Sequence, residues 1–336
     1  MDIKGLFTAA ANSLYFLDAY AFLRRKITKS QVAILTYHRV CPKIESWYSV
    51  PVSPQSFEQQ IRYICRHFEV ISLDELVQYI RRRNTLPEKS IVVSFDDGHK
   101  DTYTYAYPIL KKYDVPATVF LTTGNITNRS IFWWDKVGYS IQNTKKTQII
   151  LDEIGTFSIQ SKSNKYRTTY LIVNKLKNLS EERKNFLIDK LIEQCQVNIS
   201  PNLGRELLLT WDEIKEMNNN GINFGAHSVN HQFLTKIPLE LAKYEIRQSK
   251  KDIEENLGVK VTAFAYPYGD CNPEVINFVR EAGFNCAVSV SPGKLVSIKD
   301  NTYKLPRILS TQNFSKFKTI LCGFWGDWVT VFPTSK

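Results

Sequence analysis

Short β-branched apolar runs recur along the chain at 32–37, around 70–71, and at 91–95, 117–121, 222–226, 261–265 and 285–290, with a last one near 303–305. Each reads as a buried strand. Between them, apolar positions recur at helical spacing over 56–66, 72–82, 103–112, 211–219, 239–257 and 272–282. Ser72, followed three residues later by Glu75, has the form of a capping box. Strands alternating with helices predict an α/β fold built on a parallel sheet. The count fits a distorted (β/α) barrel of about seven parallel strands, closed or incomplete.

Between 124 and 204 the alternation breaks into a polar, lysine-rich stretch with a helical piece at 181–194. It predicts an insertion on one rim, where selectivity is commonly placed. The expected organisation is an apolar and basic helix over 1–30, a barrel from 31–123 and 205–310, the insertion at 124–204, and a C-terminal tail over 311–336.

A net charge of +11 directs attention to an anionic partner, an acidic glycan or an anionic membrane surface. No zinc finger, RNA-binding signature or basic helical repeat is present, so nucleic acid is not expected. The six cysteines contain no C-x-x-C pair and read as free thiols, which favours a reducing compartment. Residues 5–23 are largely apolar but contain Asp18, and Arg24, Arg25, Lys26 and Lys29 follow them. A cleavable signal has its charges in front and a small-residue site behind, and this segment has neither. It reads as an interfacial helix with its basic end on anionic lipid, or as an ordinary helix packed on the barrel. The expected location is cytoplasmic, with peripheral contact at the inner membrane face.

The chemistry concentrates at strand ends. Asp96 and Asp97 follow the run 91–95, and His227 and His231 follow 222–226. Two adjacent carboxylates cannot both be buried unpaired, so a cation or a shared proton is needed. Together these residues make an aspartate-and-two-histidine metal site with one aspartate to spare, which points to metal-assisted hydrolysis. His38 and the turn Tyr266-Pro267-Tyr268-Gly269 also follow strands. In a parallel barrel all of these ends converge on one face. The plainer readings are an Asp-Gly turn, a solvated histidine pair and a structural His38. Trp133 and Trp134 read as a sugar-stacking platform or as core. His67 and His99 carry no evident role.

The segments Thr36-Tyr37-His38-Arg39, Ser94-Phe95-Asp96-Asp97-Gly98, His227-Ser228-Val229-Asn230-His231 and Phe264-Ala265-Tyr266-Pro267-Tyr268-Gly269 resemble, in order, the motifs of the polysaccharide deacetylase (NodB-like, carbohydrate esterase family 4) family. The resemblance covers roughly 32–123 and 205–309. It implies that Asp97, His227 and His231 hold a divalent metal, zinc before cobalt, nickel, iron or manganese. It also implies that Asp96 is the general base and that the Tyr268 backbone N–H helps bind the oxyanion. Tyr266, Pro267 and Tyr268 would then face substrate, and Trp134, outside the resemblance, is the candidate stacking residue of the tryptophan pair. The implied substrate is an N-acetylated amino sugar in a polysaccharide, glycolipid or lipid-linked glycan, and the implied products are an amine and acetate.

Two family features are missing. The arginine expected two residues before the proline of the third motif is Ala265, and no histidine follows His231 to supply the late Leu-x-His acid. An amine leaves poorly without a proton, so Asp96 returns the one it took, or His38 supplies it. Arg307 is the candidate replacement for the lost positive partner of Asp96. Two alternatives stay open: hydrolysis of another linear amide or imide on the same barrel, and a catalytically inactive glycan-binding relative.

Overall fold

The computed structural model describes residues 31–42, 51–83, 85–291 and 294–321. In chain order its strands are β1 (Gln31–Tyr37), β2 (Glu69–Val70), β3 (Ser90–Phe95), β4 (Ala117–Leu121), β5 (Gln148–Leu151), β6 (Gly155–Ser158), β7 (Ile222–Ala226), β8 (Ala263–Ala265), β9 (Cys286–Val290), β10 (Val296–Ser297) and β11 (Leu305–Leu309). The helices are α1 (Pro54–His67), α2 (Leu73–Arg81), α3 (Tyr107–Lys112), α4 (Thr123–Asn128), α5 (Trp133–Asn143) and α6 (Lys162–Leu176). They continue with α7 (Glu181–Cys195), α8 (Leu203–Leu207), α9 (Trp211–Asn219), α10 (Leu239–Leu257), α11 (Pro273–Glu281) and α12 (Phe314–Leu321).

Seven parallel strands close a barrel in the order β1, β3, β4, β7, β8, β9, β11 and back to β1. The short β2 pairs only with the start of β3, and β10 runs antiparallel to the start of β1. Alternate strand residues point to opposite faces. One set (Val32, Ile34, Val92, Phe120, Ala263, Ala265, Val288 and Leu305) clusters with Leu73, Leu76, Val77 and Ile80 of α2. This set fills the barrel, and α2 plugs its N-terminal end. The other set packs against the surrounding helices in a larger core. The capping box of α2 is present, with Ser72 and Glu75 bonded reciprocally.

Four expectations need correction. The last strand does not lie near 303–305 but spans Leu305–Leu309. Pro306 and an inward Arg307 disguise it, because neither residue normally suits a barrel strand. The helix expected from 103 opens instead as a π-turn over Thr102–Ala106, in which the Tyr107 N–H reaches the Thr102 carbonyl. Pro108 has no N–H with which to continue an α pattern there. Residues 314–321 are not a trailing tail: α12 buries Phe317, Ile320 and Leu321 in the main core, with Phe314 against Tyr63 of α1. The insertion is more than polar helices on the rim. Residues from α5, α6, α7 and the β5–β6 hairpin enclose an apolar core of their own, including Val137, Ile149, Leu151, Ile172, Leu187 and Leu191.

The segment 1–29, on which the membrane-facing expectation depends, lies outside the described residues. Among those that are described, no helix is long and apolar enough to cross a membrane.

Candidate active site

The two acids leave the end of β3 in different directions. The Asp96 N–H still bonds the Tyr37 carbonyl at 3.0 Å, which continues the sheet and keeps Asp96 in the inward register. Asp97 and Gly98 then both adopt φ of 75°. Gly98 is required twice: its φ is left-handed, and an added Cβ would lie 2.9 Å from Ile126 Cδ1. After β7, the His227 N–H bonds the Leu121 carbonyl at 2.8 Å. Ser228 and His231 are also left-handed, and Ser228 Oγ accepts the His231 N–H at 2.9 Å. Glu245, fully buried on α10, accepts from the N–H groups of Val229 (2.9 Å) and Asn230 (2.8 Å) and from Asn230 Nδ2 (2.7 Å). Three donors satisfy a carboxylate that has no cationic partner among these contacts, and the histidine loop is thereby pinned.

This folding brings three ligand-type atoms together. His227 Nε2 lies 3.6 Å and His231 Nε2 3.4 Å from Asp97 Oδ1, and the group fits within 4.8 Å. His227 Nδ1 is 2.7 Å from the Ala265 carbonyl, so that nitrogen carries the proton and Nε2 presents a lone pair to Asp97. Asp97 Oδ1 is buried and accepts no hydrogen bond. Burial, reinforced by His227, lowers the His231 pKa to about 3 despite the nearby Asp97 and Asp96. Burial alone would raise the Asp97 carboxyl, but His99, His231 and His38 outweigh it and hold the carboxyl well below the usual carboxylate range. A buried acceptor oxygen facing the His227 lone pair is repulsive unless a cation sits between them. The donor set fits a divalent ion with protein ligands to spare positions for exchangeable ones.

Asp96 has a different setting. Arg307, fully buried on β11, grips it through Nη1–Oδ1 at 2.6 Å and Nη2–Oδ2 at 2.7 Å, while Nη1 also bonds Thr36 Oγ1 at 3.1 Å. The guanidinium rests over Phe120, 5.3 Å from the ring centre. Gly225 makes room for that ring, since a Cβ there would lie 2.5 Å from it. Burial pushes the Asp96 carboxyl up, yet Arg307, with His227 and His38, brings it below its ordinary value. His38 Nε2 is 3.9 Å from Asp96 Oδ2 at the more open side. Burial lowers the His38 pKa against the raising influence of Asp97 and Asp96.

The wall of the site comes partly from the insertion. Tyr268, left-handed at φ 59°, stacks on Phe233 at 3.8 Å and meets the His231 ring edge-on at 4.5 Å. Trp133 Nε1 donates to the Tyr268 hydroxyl at 3.1 Å. Three expected substrate contacts change. The Tyr266 side chain is buried in the core and donates to the Tyr303 carbonyl at 2.9 Å, with Pro267 buried beside it, so both shape the turn from beneath. Trp134 is only 8% exposed, with one face taken by Phe132 at 4.5 Å and an edge contact to His231. It backs the histidine and offers no open face to a sugar.

Several residues escaped the sequence reading. His99 lies 3.3 Å from Asp97 Oδ2. Arg39 is ion-paired with Asp101, whose other oxygen accepts the Val40 N–H at 3.2 Å. Asp135 is buried on α5, its carboxyl pKa raised by burial against His99 and Arg39. Glu245 had a readable signal. It falls on the same helical stripe as Ala242, Ile246, Ser249 and Ile253, where a glutamate needs a reason to be.

The profile of the family described as polysaccharide deacetylase matches residues 83–287, more than half of the chain. The chain belongs to the polysaccharide deacetylase family. It is a hydrolase of that family. The match runs through the insertion and omits the Thr36–Arg39 segment, so its span differs from the two blocks expected. The chain is 26% identical over 259 residues to the poly-β-1,6-N-acetyl-D-glucosamine N-deacetylase of Staphylococcus aureus, covering 77% of this chain and 67% of that one. It is 21% identical over 280 residues to the putative polysaccharide deacetylase YxkH of Bacillus subtilis, covering 83% and 71%. Among solved structures, the Streptococcus pyogenes deacetylase PplD aligns with a TM-score of 0.60 at 20% identity, over 88% of this chain and 100% of that one. IcaB from Ammonifex degensii aligns with a TM-score of 0.57 at 19% identity, over 88% and 98%. At these identities the structural likeness establishes the fold.

Proposed function

We propose that this deacetylase removes N-acetyl groups from an amino-sugar glycan, an N-acetylglucosamine polymer before other classes, and that a divalent cation is required. The observation that carries the cation is the buried, unpartnered Asp97 Oδ1 facing two imidazole nitrogens. The relatives named as poly-N-acetylglucosamine deacetylases support the choice of glycan. When bound by Asp97, His227 and His231, zinc or a similar ion acidifies water and polarises the acetyl carbonyl.

The chain's own residues do the rest. Asp96, ionised because Arg307 holds it so, takes the proton from the attacking water through an oxygen on the His38 side. Arg307 uses both terminal nitrogens on Asp96 and fixes the carboxylate plane, so it is a positioning residue and does not itself contact substrate. The Tyr268 N–H, set by a left-handed turn, donates to the developing oxyanion. The departing amine receives its proton from Asp96 or from His38, whose imidazole is one-third exposed at the site mouth. Tyr268, Phe233 and Trp133 form a wall beside the histidines that would face the sugar.

The test is acetate release from short N-acetylglucosamine oligomers by purified enzyme, before and after chelation and after readdition of zinc. Release that stops on chelation and returns with metal is the expected result. Release that persists in metal-free protein, or no release from any N-acetylated oligomer, overturns the proposal.

A further inference from the structure

His99 faces the same carboxylate as the two metal-ligand histidines but from its other oxygen. The His227 and His231 Nε2 atoms address Asp97 Oδ1, whereas His99 Nε2 stands 3.3 Å from Oδ2. The ring is 3% exposed, and its Nδ1 is buried with no hydrogen-bond partner. That asymmetry fixes the proton. With hydrogen on Nδ1, an imidazole lone pair would point at a carboxylate lone pair, and an N–H would be left buried and unsatisfied. With hydrogen on Nε2, the ring donates to Oδ2 and only a lone pair is left unused, the cheaper of the two omissions.

The insertion holds His99 in this pose. The Leu209 N–H bonds the Gly98 carbonyl at 3.0 Å, and His99 itself forms a β-bridge with Leu208 where the chain leaves the insertion. Phe132, on the other flank of the insertion, meets the imidazole edge-on at 5.5 Å. Asp97 needs such a constraint. Its backbone is left-handed, Oδ1 has no hydrogen bond, and His99 Nε2 stands 3.3 Å from Oδ2.

We infer that His99 is a positioning residue for the metal site: it donates Nε2–H to Asp97 Oδ2, turns Oδ1 toward the two histidines and so presets one-oxygen ligation. The inference rests on the cation-dependent reading above and assigns the insertion a part in metal affinity. Partners of this kind that hold a ligand typically contribute about 10–100-fold in affinity.

The experiment is competition titration of zinc alone against a chromophoric chelator, for wild type, His99→Phe and His99→Gln, together with the visible spectrum of the cobalt-loaded proteins. Phenylalanine keeps the ring packing and lacks the donor, while the glutamine amide nitrogen falls where Nε2 was. His99→Phe is expected to bind zinc about 10–100-fold more weakly with an altered cobalt spectrum, and His99→Gln to recover most of both. Wild-type affinity in His99→Phe, or a glutamine variant as weak as the phenylalanine one, overturns the inference. Should His99→Phe not fold, nitrogen-15 NMR of the wild-type imidazoles decides: a proton on Nδ1 of His99 overturns the assignment, and one on Nε2 supports it. Wild type that binds no divalent ion overturns both this inference and the cation-dependent function. Wild type that binds zinc and releases acetate, with His99→Phe unchanged in affinity, overturns the role of His99 alone.

Discussion

Asp96 and Asp97 are adjacent in sequence, yet they belong to two regions with opposite physical characters. Asp96 points into the barrel, where a buried guanidinium takes both of its oxygens and Thr36 and Phe120 hold that guanidinium in turn. Asp97 turns out to the rim, where one oxygen meets two imidazoles and the other a third, under a wall contributed by the insertion. The interior balances a negative charge with a fixed positive one. The rim surrounds its negative charge with imidazole nitrogens, the arrangement on which the proposed divalent cation rests. The left-handed backbone that begins at Asp97 sets the two apart, and it lets neighbouring carboxylates do different chemistry.

The largest expected effect comes from breaking the pair one member at a time. Asp96→Asn is expected to lower kcat by about 10²–10⁴-fold, the range for loss of a general base, while zinc affinity stays near that of wild type. Asp97→Asn is expected to lose the zinc itself, because an amide oxygen without charge replaces the anionic ligand. Measuring both properties in both variants separates the regions. Equal loss of metal in Asp96→Asn would show that the two acids are not distinct.

Next in size is removal of the guanidinium. Arg307→Ala leaves Asp96 buried without its partner and is expected to cost about 3–5 kcal/mol of stability. The pH behaviour should also change sign. In the wild type Asp96 titrates below its ordinary value, so its contribution to stability is full above the unfolded pKa and fades as pH falls through the folded one. In Arg307→Ala burial, the largest influence on Asp96, is opposed only by His227 and His38 and is expected to raise that pKa above the unfolded value. Stability from this group is then present below the unfolded pKa and lost as pH rises through the folded one. The acidic limb of kcat/KM moves to higher pH for the same reason. Thermal unfolding and rate profiles across the acidic range check both, and an unmoved limb would remove Arg307 from control of the base.

Much of the interior was legible in the sequence, because burying a strand demands β-branched residues and reactive side chains collect at strand ends. That logic located Asp96, Asp97, His227 and His231 together. It misplaced β11, since Pro306 and Arg307 look like strand breakers until Asp96 is seen to neutralise the arginine. The rim was less legible. His99 looked idle because its meaning depends on which Asp97 oxygen it faces, and that is decided by a turn with φ of 75°. The insertion core was diluted by exposed lysines, so Ile149, Leu151 and Ile172 did not stand out as one cluster. Tyr266 faces inward although its motif places it at the site, because motif position says nothing about which way a ring points, and of the two readings open for Trp134 the structure shows the core one.

The smallest expected effect tests whether the insertion wall shapes substrate binding or only supports the metal ligands. Trp133→Phe removes the indole N–H that bonds the Tyr268 hydroxyl and keeps an aromatic ring on the half-exposed wall. One neutral hydrogen bond contributes about 0.5–1.5 kcal/mol, so stability should fall by no more than that. Tyr268 still stacks on Phe233 and its backbone turn is unaffected by the hydroxyl, so kcat and zinc affinity should hold. If the ring tilts at its outer end, the change is felt where the sugar lies, and KM for N-acetylglucosamine oligomers should rise about 2–10-fold, the equivalent of that lost bond. A fall in kcat with KM unchanged would instead place the tryptophan's influence on the histidine side of Tyr268, where the ring meets His231, and would merge the wall with the metal site it was taken to flank.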